Sequence, residues 1–177
     1  MLILNFFCLF IHYAIIESGD LYTWGKGVYG LNGDGKNISI KCPKKNDFFA
    51  KLAQINPMNE IIKIDSADEF SGALTKGGKL YVWGKNDRGQ LGTGVGVGVD
   101  MIESEKYPLM VKNMDNAKIV DFTCGENTML IKDSEGRLYR TGLKVDYTPT
   151  LIEITNKIKP NLFLSGNSYY CMISRMF

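Results

Sequence analysis

GGKLYVWGKN at residues 77–86 decides the fold, because the chain writes it three times. SGDLYTWGKG at 18–27 and EGRLYRTGLK at 135–144 repeat it, and Leu21, Leu80 and Leu138 lie 59 and then 58 residues apart. Tyrosine follows each leucine, and Trp24-Gly25, Trp83-Gly84 or Thr141-Gly142 comes next but one. Gly19, Gly78 and Gly136 precede the leucines, where a tight turn joins two short strands. Self-similarity at a fixed period marks a repeat architecture. A period near 58 with short strands and glycine turns fits one four-stranded sheet per repeat, the blade of a β-propeller. Helical solenoids have shorter periods and a helical apolar rhythm, which is absent here.

The pattern extends upstream of each core. Phe6, Ile64, Phe122 and Phe163 form one register, at intervals of 58, 58 and 41 residues. Cys8, Ser66, Cys124 and Ser165 stand two positions later, and His12, Phe70, Thr128 and Tyr169 six positions after the first set. The apolar run Met1–Ile16 therefore reads as a strand pair that ends in the turn Ser18-Gly19-Asp20. A spanning helix needs about 20 apolar residues, and a signal peptide needs a basic start, whereas the first basic residue is Lys26. The run still leaves contact with a membrane open. Pro43, Pro108 and Pro149 punctuate the third arm of each repeat, each ahead of the next register position.

The expected fold is all-β: an incomplete β-propeller of about three four-stranded antiparallel blades, with a short helical insertion near 46–55. The whole chain, 1–177, reads as one partial propeller, with repeats at 4–63, 64–121 and 122–162 and an incomplete fourth at 163–177. Gly19, Trp24, Gly25, Gly78, Trp83, Gly84, Gly136 and Gly142 are its structural repeat residues.

The repeats differ in their loops, where function concentrates. From the Trp or Thr position to the proline the spacings are 19, 25 and 8, and the VGVGVD tract at 95–100 accounts for the longest. From the proline to the next register position they are 21, 14 and 14, so the first repeat has seven extra residues near Asn46–Gln54. NDFFAKLAQI at 46–55 places Phe48, Phe49, Leu52 and Ile55 on one helical face behind Asn46 as N-cap. That face either packs on the neighbouring blade or meets a partner. The candidate partner-binding residues are Phe48, Phe49 and Leu52, with Val95, Val97 and Val99 of the loop.

Chemistry finds little support. The single histidine, His12, has no second imidazole for zinc or for a Ser-His-Asp arrangement. Cys8, Cys42, Cys124 and Cys171 lie far apart and read as free thiols. Gly25-Lys-Gly27-Val-Tyr-Gly30 is a literal G-x-G-x-x-G, but LNGDGKNIS follows it in place of a helix, and Gly84, Gly89 and Gly92 repeat the design. Its glycines are structural, and Trp24 and Trp83 read as blade-packing residues. Asp65, Asp68, Glu69, Asp121 and Glu126 cluster around the inner-strand turns, as funnel lining or polar contacts. No catalytic residue, cofactor site or metal site is assigned, and an enzyme is not expected. With 21 basic and 19 acidic residues the net charge is +2, and the longest basic cluster, Lys41 to Lys45, is broken by Cys42-Pro43. Nucleic acid is therefore a disfavoured partner.

The G-x-L-Y-x-W-G core, NDRGQLGTG at 86–94 and FTCGENT at 122–128 resemble regulator-of-chromosome-condensation repeats. The resemblance implies propeller blades, usually seven to a ring, with each repeat beginning partway through the strand order. It also implies a non-catalytic protein-interaction or scaffold module, or alternatively an exchange factor or regulator for a small GTPase. Exchange needs no acid, base or metal, since tighter binding of the nucleotide-free GTPase drives it. About three repeats leave strand edges and apolar faces open, so protein partners are expected to cover them. An intracellular site is expected.

Overall fold

The computed structural model describes residues 10–94, 103–114 and 116–153, and the backbone of 2–7, 162–165 and 170–173. Strands β1 (Leu2–Phe7), β2 (Ile11–Ile16), β3 (Leu21–Gly25) and β4 (Ile40–Lys45) form the first antiparallel sheet in chain order. Helix α1 (Asp47–Ile55) leads to the second, made of β5 (Ile61–Ser66), β6 (Phe70–Thr75), β7 (Leu80–Lys85) and β8 (Ser104–Met110). The third contains β9 (Ile119–Cys124), β10 (Thr128–Asp133), β11 (Leu138–Gly142) and β12 (Asp146–Leu151). A hairpin of β13 (Leu162–Ser165) and β14 (Tyr170–Ile173) follows. These are propeller blades: β5 lies against β9, and β9 against β13, across successive seams. Among the described residues the sheets do not close into a ring.

Period-two alternation explains why the middle blade is apolar on both sides. Ala73, Tyr81 and Trp83 pack toward the first blade with Tyr13, Leu31 and Phe49. Phe70, Leu74 and Val82 pack toward the third with Phe122, Met129 and Ile131. All six residues of β6 are buried in consequence.

The apolar N-terminal run does pair as strands, and no helix among the described residues is long and apolar enough to cross a membrane. Its register differs from the expected one by a residue. The row Asn5–Ala14–Tyr22 matches Ile64–Ala73–Tyr81 and Phe122–Ile131–Tyr139. The counterpart of Ile64 is therefore Asn5 rather than Phe6, and that of Phe70 is Ile11 rather than His12. The first three strands of blades one and two are offset by 59 residues, as Leu21 and Leu80 are. A one-residue slip exchanges the two faces of a strand, so the difference is not cosmetic. His12 pairs with Trp24, their ring centroids 5.6 Å apart.

Pro43, Pro108 and Pro149 lie inside β4, β8 and β12, the outermost strands. In each sheet one residue, Trp24, Trp83 or Thr141, faces three on the outer strand: 41–43, 106–108 and 147–149. The proline is the last of the three. Bulges on edge strands are where a missing N–H removes no ladder bond.

Asp133 fastens the β10–β11 turn. Its carboxylate, 1% exposed, accepts from the backbone N–H groups of Glu135 (3.0 Å) and Arg137 (2.8 Å), from Arg137 Nε and from the Tyr139 hydroxyl. Burial by itself raises a carboxyl pKa, but the Arg137 guanidinium and these donors outweigh it and hold Asp133 below its ordinary value. A depressed folded pKa contributes stability above the unfolded value and loses it as pH falls through the folded one. Asp133→Asn is expected to cost about 2 kcal/mol at neutral pH. Urea denaturation at several pH values should show that deficit shrinking below about pH 4.

Candidate functional site

The loops that follow β3 and β7 build the seams between blades. Gly25-x4-Gly30-x2-Gly33-x-Gly35 and Gly84-x4-Gly89-x2-Gly92-x-Gly94 are one loop written twice. The first begins with a short 3-10 turn at Val28–Gly30 and no helix opens behind it, so it offers no dinucleotide cradle. Its Leu31 carbonyl instead accepts from Trp83 Nε1 of the second blade and from the Tyr13 hydroxyl, both at 2.8 Å. Tyr13 also shares a 2.6 Å hydrogen bond with Ser71 across that seam. The second seam repeats the device, as Thr141 Oγ1 donates to the Gln90 carbonyl at 2.6 Å.

Two further bonds recur from one seam to the next. Gly35 N–H donates to the Lys106 carbonyl (3.1 Å) and Gly94 N–H to the Tyr147 carbonyl (2.8 Å). Ile61 N–H donates to Gly19 (3.4 Å) and Ile119 N–H to Gly78 (3.1 Å). Lys106 and Tyr147 are each the first residue of an outer-strand bulge. The 59-residue spacing of Leu31 and Gln90 is the sequence signal for all of this. It is faint, because the bonding group is a backbone carbonyl and the two side chains share nothing.

Helix α1 and its cap form as expected: Asn46 Oδ1 accepts from Phe48 N (3.1 Å) and Phe49 N (3.4 Å). Its apolar face is already occupied. Phe49 is 2% exposed, with ring centroids 5.6 Å from Trp83 and 5.7 Å from Tyr81. Phe48 and Leu52 are half-buried in the same cluster. Phe48, Phe49 and Leu52 therefore pack in the seam, where the second blade supplies an apolar partner for the helix. Ile55, expected on that face, is 79% exposed at the helix end. Val95, Val97 and Val99 lie outside the described residues.

Two acidic residues of the inner turns, Asp65 and Asp121, also bond blade to blade. Lys63 reaches across the second seam to the Asp121 carboxylate and donates to the Phe122 carbonyl at 2.7 Å. Asp65 accepts from Cys124 N and Ser66 N, each at 2.9 Å. Burial pushes the Asp65 carboxyl above its ordinary pKa despite those donors. Glu69 pairs with Lys85, while Asp68 and Glu126 are exposed. Asp121→Asn is expected to cost no more than about 1 kcal/mol in denaturant titration. Lys63 and Asp121 are 38% and 42% exposed, and Lys63 keeps the Phe122 carbonyl.

A groove of about 360 Å³ opens at the rim beside β4, lined by Lys36, Lys44, Lys45 and Lys51 with Phe48 and Tyr107. Asp34 lies 3.7 Å from Lys44, and Asp20 lies 2.8 Å from Lys45. Half of those cations are thus neutralised locally, which leaves a weak field for a polyanion. Among the described residues no cluster of three or more His, Cys, Asp or Glu is placed to hold a metal ion.

Trp83 is fully buried at its seam, whereas Trp24, at the same position one blade earlier, is half-buried on a face that no described blade covers. Known proteins share this build. Family models described as Regulator of chromosome condensation (RCC1) repeat match residues 77–131 and 61–90. The longer match runs from the turn before β7 into β10, so the repeat begins partway through one blade and ends in the next. The E3 ubiquitin-protein ligase HERC2 of Mus musculus is 31% identical over 129 residues, 73% of this chain and 2% of that protein. The X-linked retinitis pigmentosa GTPase regulator of Homo sapiens is 29% identical over 127 residues, 71% of this chain and 10% of that protein. The chain thus spans a small part of the length of these relatives. Prp20p from Saccharomyces cerevisiae shares the fold, with a TM-score of 0.75 at 19% identity over 94% of this chain and 42% of that one. With its core motif written three times and two seams built to one plan, the chain belongs to the regulator of chromosome condensation repeat family.

Proposed function

We propose that the chain is a non-catalytic protein-interaction or scaffold module, built of propeller blades and working within a larger assembly. One observation carries the reading: Asp65, Asp121, Glu69 and the glycine loops, which invite a chemical role, are engaged in structural bonds within and between blades. Asp65 and Asp121 bond across the second seam, Glu69 pairs with Lys85, and the glycine loops present their carbonyls and amides to the next blade. What stays available is the surface and the open blade faces, which suit protein partners. The structure of Prp20p was reported with its binding to Gsp1p and histones, and that of yeast RCC1 (Prp20) with Kap60 bound. Protein recognition is therefore a use to which this fold is put.

The test is the native mass of the protein taken from its source, with co-purifying chains identified. A stable complex well above 19.8 kDa is expected. A folded monomer of that mass with no bound chain would overturn the reading.

A second reading, regulation of a small GTPase, is favoured by the relative named as a GTPase regulator. It predicts that the chain accelerates nucleotide release from a GTPase among the co-purifying proteins. A scaffold predicts an unchanged release rate.

A further inference from the structure

We propose that a cavity at the second seam docks an amphipathic helix of a partner protein, apolar where it inserts and acidic along its edges. The two seams are spliced differently. Asn46 N–H donates to the Leu21 carbonyl (2.8 Å) as the chain leaves the first blade, and Val111 N–H donates to that of Leu80 (3.0 Å) as it leaves the second. Three residues further on, Phe49 and Met114 are buried at corresponding positions. At the far end Ile61 and Ile119 bond to Gly19 and Gly78. Between these points the first seam has residues 50–60 and the second only 115–118. The longer stretch contains most of helix α1, whose Leu52 packs on the apolar cluster of its seam.

The second seam is too short there for a helix and holds a cavity of about 320 Å³ instead. Leu80, Val111, Met114 and Ile119 line it and are buried, while Met110, which also lines it, is 43% exposed. A cavity of roughly 150 Å³ takes a benzene ring, so this one has room for two large apolar side chains. An amphipathic helix presents such a pair one turn apart. The methionine thioethers adapt to whatever they contact, which suits a site filled from outside.

Charge narrows the choice of helix. In the first seam Asp20 precedes Leu21 and Glu60 precedes Ile61, and both are paired, with Lys45 (2.8 Å) and Lys76 (3.6 Å). Their counterparts, Lys79 before Leu80 and Lys118 before Ile119, both line the cavity. The correspondence is spatial too, since a Cβ added at Gly19 would meet Glu60 and one at Gly78 would meet Lys118. Lys79 and Lys118 are exposed and make no ion pair among the described residues. The sequence of the lining segments, 77–80 and 110–119, has Lys79, Lys112 and Lys118 against one acidic residue, Asp115, which lies outside the described residues. Carboxylates beside the apolar stripe of an incoming helix complement that rim. Helix α1 of a second copy does not fit: Phe49 and Leu52 are engaged in their own seam, and the helix carries Lys51.

The proposal deepens the interaction-module reading and rests on it, and the two can fail separately. The probe is a hydrocarbon-stapled peptide of residues 46–56 with Lys51→Glu, which keeps the apolar spacing of α1 and is acidic. It is titrated into the full chain labelled on its methionine methyls. Met110 and Met114 are expected to shift saturably, and Met129, in the core of the third blade, to stay. Met58, just past α1, reports any displacement of α1 itself. A peptide with serine in place of Phe48, Phe49 and Leu52 should not bind. Lys79→Glu with Lys118→Glu in the chain should weaken binding about tenfold, and both side chains are exposed, so the fold is kept.

No shift at Met110 and Met114 with excess peptide overturns the proposal, as do equal shifts with the serine peptide, a shift at Met58 alone, or full affinity in the double variant. Shifts of Met110 and Met114 that follow the concentration of the chain alone overturn it in favour of a second copy. In the natural complex, the double variant is expected to lose a chain that the wild type retains. Retention of every chain overturns the docking role and leaves the module reading standing. A wild-type chain that purifies alone overturns the module reading, while the titration still decides the cavity.

Discussion

Trp83→Ala is expected to destabilise the protein by about 3–5 kcal/mol, enough to unfold a marginal domain. The indole is completely buried where the first two blades meet, against Tyr13 and Phe49, and backbone on both sides prevents the seam from collapsing into the space. Trp83→Phe separates packing from hydrogen bonding. It removes the bond to Leu31, but that carbonyl keeps the Tyr13 hydroxyl, so the added loss should be only about 1 kcal/mol beyond the reduced contact area. Trp24→Ala, at the equivalent position on the open face, is expected to cost well under half as much as Trp83→Ala. Denaturant titration of the three variants checks the order. Equal losses for the two alanine variants would show that the seam between blades is not what stabilises the Trp83 site.

Gly84→Ala comes close to the same effect through the backbone. Gly84 has φ of +107°, and a Cβ there would stand 2.6 Å from both the Glu69 carbonyl oxygen and Phe70 Cα. Neither is a flexible side-chain end, so β6 and β7 would have to separate. The dihedral strain is worth about 1–3 kcal/mol before the collision is counted. A loss of more than about 3 kcal/mol is therefore expected, with the chain recovered largely unfolded. Gly136→Ala is the control, with φ of +81° and nothing within 4 Å of the added carbon. It carries the dihedral penalty alone, about 1–2 kcal/mol. Circular dichroism and melting of both variants test this, and similar stabilities would sink the steric argument.

Most of the architecture was legible because a repeat supplies its own alignment. The L-Y-x-W-G core fixed the third strand of each blade, and the Asn46 cap with its spaced phenylalanines fixed the helix. The apolar N-terminal run was harder. With Phe6 and Phe7 adjacent and hardly a polar side chain to mark the outer face, nothing local distinguishes two registers that differ by one residue; only the hydrogen-bonded partner of Ala14 does so. Phe49 was legible as apolar, but the choice between packing on the neighbouring blade and meeting a partner was not, since Tyr81 and Trp83 reach it from a different blade. Lys63 and Asp121 were invisible as a pair for the same reason: 58 residues separate them, and tertiary packing alone brings them together.

The outer-strand prolines have a consequence for how the protein behaves among its neighbours. An exposed strand is a template that another chain can extend, and long smooth edges seed fibres. On β4, β8 and β12 an incoming strand would meet a bulge and a residue that cannot donate, at Pro43, Pro108 or Pro149. The rim is thereby closed to sheet extension. A partner approaching these strands from outside has to read side chains such as Tyr107 and the lysines of β4, one contact at a time, and none of the three offers a continuous ladder along which to polymerise.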